Sequence, residues 1–129
     1  MAGPVVRFRI DFAEHISVGP GKIALLEAIR DAGSLSQAAR NIGMSYRRAW
    51  LLVESLRKSF REPVTVASKG GRDGGGMRVT ELGGALIRNY RGLERDFATL
   101  AERRFRPLIA TLTPRPRSGA RVSVRGKAG

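Results

Sequence analysis

GSLSQAARNIGMSYRRAWLLVESLRKSF, residues 33–60, is the stretch whose reading decides the fold. It reads as two helices joined by a tight turn. Leu35, Ala38, Ala39 and Ile42 fall on one stripe of the first helix, and Ala49, Val53, Leu56 and Phe60 on one stripe of the second. Gly43 marks the turn, and Ser45 is a good N-cap just ahead of the second apolar run. The small side chains of Ala38 and Ala39 let the two helices cross closely. Arg47 and Arg48 then occupy the first turn of the second helix, where the dipole gains nothing from positive charge. A charge set against the local preference points to a partner outside the chain, phosphate or guanine. Trp50 is expected to anchor the core from the inner side of its helix.

Working outward toward the N-terminus, residues 5–12 alternate. Val6, Phe8, Ile10 and Phe12 are apolar, while Arg7, Arg9 and Asp11 are polar, the pattern of a half-buried strand. Pro20, in GPG at 19–21, suits a first helical position. Residues 22–32 then place Ile23, Leu26 and Ile29 on a core face, with Gly33 ending the helix and Ser34 or Ser36 capping the next.

Toward the C-terminus, Glu62 and Pro63 close the helical pattern. VTVAS at 64–68 and MRVT at 77–80 read as two strands around KGGRDGGG at 69–76. Glycines let such a loop come close to a phosphodiester backbone, and Lys69, Arg72 and Arg78 supply charge. A nucleotide-cradling loop is the competing reading. It fails because GxxxxGK[ST] is missing and the loop leads into a strand rather than a helix.

Thr80 is the N-cap of a long helix expected over about residues 81–106, with Pro107 ending or kinking it and residues 108–112 adding one more turn. Leu86, Tyr90, Leu93, Phe97 and Leu100 step by four and three residues in turn, a heptad seam too long for the domain's own core. The excess is expected to serve a homodimer. Residues 1–112 form one domain in this reading. Residues 113–129, basic and without periodicity, form a disordered tail.

Composition sets the class. The formal net charge is +13, from 24 Lys and Arg against 11 Asp and Glu, which favours a polyanion through counterion release. Residues 36–78 hold nine basic and three acidic side chains, and residues 113–129 hold five basic and none acidic. The chain has no cysteine and one histidine, His15, so thiolate sites and multi-histidine metal sites are excluded. No nucleophile–base or paired-acid constellation stands out, and the expectation is no enzyme, no cofactor and no metal. No apolar run approaches the roughly 18 residues of a membrane span, and no export signal opens the chain, so a cytoplasmic protein is expected.

Four segments together resemble a known family: GSLSQAA at 33–39, SYRRAW at 45–50, GGRDGGG at 70–76 and VTELG at 79–83. They look like LysR-type regulators and, more tightly, like the DNA-binding part of the molybdate-responsive ModE regulators, over about residues 5–112. The resemblance implies a mainly α fold with a small β component, a winged helix-turn-helix plus a long C-terminal dimerisation helix. It implies a transcriptional regulator that binds a near-palindromic site on double-stranded DNA as a homodimer. The contacts it carries over are Ser36 and Gln37 on the first helix, Ser45, Tyr46, Arg47 and Arg48 on the recognition helix, and Lys69 and Arg72 in the wing, with Arg78 adding charge. ModE-type regulators also carry C-terminal oxyanion-binding domains, and this chain stops where those would begin. The expectation is therefore a stand-alone DNA-binding member with no dedicated molybdate or other small-molecule site and no membrane partner. The alternative is an architectural, nucleoid-type protein that binds DNA with little sequence preference.

Overall fold

A computed structural model describes residues 3–69 and 75–113. Its elements, in chain order, are β1 (Ile10–Ala13), β2 (Ile16–Val18), α1 (Pro20–Ala32), α2 (Leu35–Asn41), α3 (Tyr46–Ser59), β3 (Thr65–Ser68), β4 (Gly76–Val79) and α4 (Glu81–Ile109).

α1 is the spine. It starts at Pro20, whose missing N–H is no loss in a first turn, and stops at Gly33, whose left-handed backbone (φ 80°) returns its N–H to the Ile29 carbonyl at 2.9 Å. Between these signals Ile23, Leu25, Leu26 and Ile29 lose all solvent exposure. They point in three directions. Leu25 and Ile29 pack with Leu35, Ala38, Ala39 and Ala49; Leu26 packs with Leu56, Val64 and Ile87; Ile23 packs with Val18 and Tyr90. Each such side chain contributes about 1.5–3 kcal/mol of burial, so α1 fixes α2, α3 and α4 at once.

The strand pair β3–β4 is antiparallel, from Thr65 opposite Val79 to Ser68 opposite Gly76. It is tied to the rest at both ends. At the far end the Met77 N–H donates to the Gly33 carbonyl at 2.9 Å, and Gly76 bridges Ser34. At the near end the Thr80 hydroxyl donates to the Pro63 carbonyl at 2.8 Å and accepts the Gly83 N–H at 3.2 Å, capping α4. Gly83 is needed there. A Cβ at this position would lie 2.5 Å from Val79 Cγ1 and 2.6 Å from the Val64 carbonyl oxygen.

Three expectations are corrected. The N-terminal strand is shorter than residues 5–12 and is half of a hairpin: β1 pairs with an unanticipated β2, with a bulge between Asp11 and Ala13 and with His15 in the left-handed region (φ 65°). Residues 5–10 still alternate between exposed and half-buried positions, because Phe8 lies on α4, stacked on Tyr90 at 4.6 Å and edge-on to Phe97 at 5.0 Å. Secondly, α4 does not end at Pro107 but continues to Ile109. The carbonyl that proline deprives of a partner, that of Arg103, sits on an exposed turn where water serves it. Thirdly, the fold label itself does not stand. The winged helix-turn-helix with a dimerisation helix gives way to four helices and two separate two-stranded antiparallel sheets. The N-terminal hairpin is an element that the label lacks, and most of the glycine-rich loop on which the wing reading depended, residues 70–74, lies outside the described residues. So does most of the expected tail, from residue 114 onward.

Candidate functional site

The local sequence builds an exposed helix start at α3. Ser45 keeps an extended backbone and its Oγ accepts the Arg48 N–H at 3.1 Å, satisfying one of the unpaired donors of the first turn. Ala49 is buried against α1 and α2, and Leu56 against α1 and α4, which fixes the rotation of α3 about its axis. That rotation leaves Tyr46, Arg47, Arg48, Trp50 and Leu51 in solvent. Among the described residues no carboxylate pairs with Arg47 or Arg48. The Arg48 guanidinium reaches back over the start of α1, near Gly21. Further along, Arg57 is held by Glu54, 3.1 Å from its Nε, and this pairing holds the Glu54 carboxyl below its ordinary range. Arg57 is thus matched within the helix, whereas the pair at its start has no carboxylate among the described residues.

Trp50 corrects an expectation. It is 47% exposed rather than a core anchor, and Tyr46 one turn before it is 55% exposed. The inward positions belong to Ala49, Val53 and Leu56, and Trp50 falls about a quarter-turn to the side of them.

On α2 the cap is Ser34, whose Oγ accepts the Gln37 N–H at 3.2 Å; Ser36 is half-buried and takes no part in it. Gln37 is exposed and engaged. Its carbonyl oxygen accepts from Arg40 at 2.9 Å, and its amide donates to Asn41 Oδ1 at 2.7 Å. The bridge between Ser34 and Gly76 brings the loop end of the β3–β4 pair beside the start of α2. Lys69 follows β3 at that end, exposed, and Arg78 is exposed on β4 opposite Val66. Arg72 lies outside the described residues.

The seam of α4 divides. Tyr90 is 3% exposed and donates its hydroxyl to the Phe8 carbonyl, and Leu86 packs into two of the three core clusters. Burial pushes the Tyr90 phenol up from its ordinary value. Leu93 is half-buried, whereas Phe97 and Leu100 are partly exposed. Beyond them Phe105, Leu108, Ile109 and Leu112 carry the apolar stripe into solvent, lining a shallow groove with Pro4 and Ala101. The heptad reading stopped at Leu100 and did not carry the apolar stripe on to Phe105 and the turn expected over residues 108–112. At mid-helix Arg91 binds Glu27 of α1 at 2.7 Å and Glu94 at 2.8 Å, and these bonds hold the Glu27 carboxyl below its ordinary 4.5.

Among the described residues no three His, Cys, Asp or Glu side chains gather in a metal-binding group. No described helix is long and apolar enough to cross a membrane.

No protein-family model matches the chain. Curated proteins do. The molybdenum-pterin-binding protein MopA of Rhodobacter capsulatus is 48% identical over 77 residues, 60% of this chain and 29% of that protein. The molybdenum transport protein ModE of Azotobacter vinelandii is 32% identical over 99 residues, 77% of this chain and 37% of that protein. The DNA-binding transcriptional dual regulator ModE of Escherichia coli K12 is 30% identical over 118 residues, 88% of this chain and 45% of that protein. The chain spans less than half of each of these three relatives.

The chain is thus similar to transcriptional regulators of the ModE kind, and the relatives named here carry binding, transport and regulatory names rather than enzyme names. The same findings overturn two expectations. A likeness to the DNA-binding part of ModE alone, without its molybdate-binding domains, is withdrawn, because MopA and a second Rhodobacter capsulatus protein, MopB, 41% identical over 83 residues, are named for molybdenum-pterin binding, and the fold label borrowed from that part goes with it. The expected partner set is corrected on the same ground: its exclusion of a dedicated small-molecule or molybdate site does not stand.

Proposed function

We propose that this chain regulates transcription by binding duplex DNA through the N-terminal half of α3. The observation that carries the reading is the adjacent, solvent-exposed pair Arg47 and Arg48, left without a carboxylate among the described residues. Cations at a helix start add nothing to the helix. They match phosphate, and an arginine in the major groove matches the O6 and N7 acceptors of guanine. Ser45 and Tyr46 stand in the same turn, and Ser36 and Gln37 on α2, with Lys69, Arg72 and Arg78 of residues 69–78, supply flanking backbone contacts. The net charge of +13 supports the reading, as do the regulatory names of the ModE relatives.

A second copy packs, in this proposal, on the exposed stripe of α4. Leu93, Phe97 and Leu100 begin it and Phe105 and Leu108 continue it, while Leu86 and Tyr90 brace the helix from within. Two copies of α3 then address a near-palindromic site. The test is binding to a duplex selected by the wild type. Arg47→Ala with Arg48→Ala is expected to abolish sequence preference while leaving the melting temperature unchanged. Retained preference would overturn the assignment of α3.

A second reading rests on the 48% identity to a molybdenum-pterin-binding protein. Molybdate titrated into the protein by calorimetry, with sulfate as the control anion, is expected to give saturable heat only if the chain takes part in oxyanion binding.

A further inference from the structure

We propose that Trp50 is a base-reading residue whose indole takes the C5-methyl group of a thymine, with Tyr46 flanking it. This rests on the reading of α3 as the DNA-contacting helix and adds a chemical specificity that the arginines cannot supply.

Trp50 is the only tryptophan of the chain, and it is 47% exposed in a protein that buries its leucines and isoleucines along α1 completely. With Tyr46 at 55% and Leu51 at 49% exposure it forms an apolar patch, on a helix whose core face is already filled by Ala49 and Leu56, of the kind that a partner covers. Its neighbours indicate which one. At 3.6 residues per turn, Tyr46 sits about 40° from Trp50 around the helix and Arg47 about 60° on the other side. The strip is therefore apolar at its centre and cationic at its edge. The nearest carboxylate on the helix, Glu54, is taken by Arg57.

The apolar face of a protein partner would leave Arg47 and Arg48 facing no charge. The floor of a major groove offers both chemistries at once: a thymine presents its methyl group, a neighbouring guanine presents two acceptors, and phosphates rim the groove. The indole N–H, a donor only, finds acceptors there as well.

The experiment uses the full chain and a duplex that it selects, with each thymine replaced in turn by deoxyuridine, which removes the methyl group alone. Wild-type protein is expected to lose about fourfold in affinity at one position in each half-site, the worth of one buried methyl group. Trp50→Ala should be indifferent at that position and keep its response to base changes under Arg47. Trp50→Phe should keep part of the loss, and it carries the test if the alanine variant melts early. Wild-type indifference to every replacement, or a Trp50→Ala protein that retains the full loss, would overturn the proposal while leaving the reading of α3 intact. If no sequence is selected at all, both fall together.

Discussion

The dipeptide Tyr-Arg occurs twice in this chain, and its two copies live in opposite circumstances. Tyr90 is buried, stacks on Phe8 and gives its hydroxyl to a backbone carbonyl, and Arg91 beside it is held by two carboxylates. Tyr46 stands in solvent, and Arg47 beside it has no carboxylate among the described residues. Residue type is the same and the role is not. The difference lies in what the fold brings to each: the N-terminal segment and α1 converge on the middle of α4, while the described residues leave Tyr46 and Arg47 uncovered on the outer side of α3. Tyr90 and Arg91 hold the fold together. Tyr46 and Arg47 are free to hold something else.

The largest effect that this contrast predicts is on stability. Tyr90→Ala empties a buried site and orphans the Phe8 contact, and should cost about 3–5 kcal/mol, read from denaturant unfolding. Tyr46→Ala should stay within about 0.5 kcal/mol of wild type. Equal costs at the two positions would break the comparison. Next comes Gly83→Ala, which forces a Cβ against Val79 and the Val64 carbonyl. A loss of about 1–3 kcal/mol is expected, with a lowered melting temperature. The arginines should separate in the other direction. Arg47→Ala should weaken binding to a selected duplex by about 1–3 kcal/mol and leave unfolding untouched, whereas loss of Arg91 should lower stability without changing the affinity of the folded protein.

The smallest effect concerns pH. Arg91 holds the Glu27 carboxyl below its ordinary 4.5, so the pair's stabilisation is complete above that value and fades as pH falls through the lower folded one. Glu27→Gln should therefore cost about 1 kcal/mol near neutral pH and nothing once the medium is acid enough to protonate the carboxyl in the folded protein. A difference that persists undiminished in acid would show that packing, not charge, sets the cost.

The sequence was most legible where its signals are local. Ser45, Thr80, Pro20 and Gly33 each act within one helical turn, and each does what its position foretold. Contacts made across the chain were not legible. The Tyr90 hydroxyl meets a carbonyl 82 residues away, and no periodicity announces that. The turn between β1 and β2 passes through His15 in a left-handed conformation without the glycine or asparagine that usually marks one, so β2 went unread. At the candidate site the cap and the arginine pair could be read from spacing. The exposure of Trp50 could not, because hydrophobicity argued for the core and only the rotation of α3, set by Ala49 and Leu56, decides against it. The continuity of α4 through Pro107 could not be read for a similar reason: proline is a strong breaker in a helix interior, but a weak one where the last turn is exposed.

The central claim is that the start of α3 is turned outward to read DNA. Selection of bound fragments from random duplex DNA by the full chain, at about 150 mM salt where non-specific binding is weak, tests it most directly. The account predicts an enriched inverted repeat with half-sites about one helical turn apart, lost when Arg47 and Arg48 are replaced by alanine. Fragments recovered without any enriched motif, or a motif indifferent to both arginines, would contradict it.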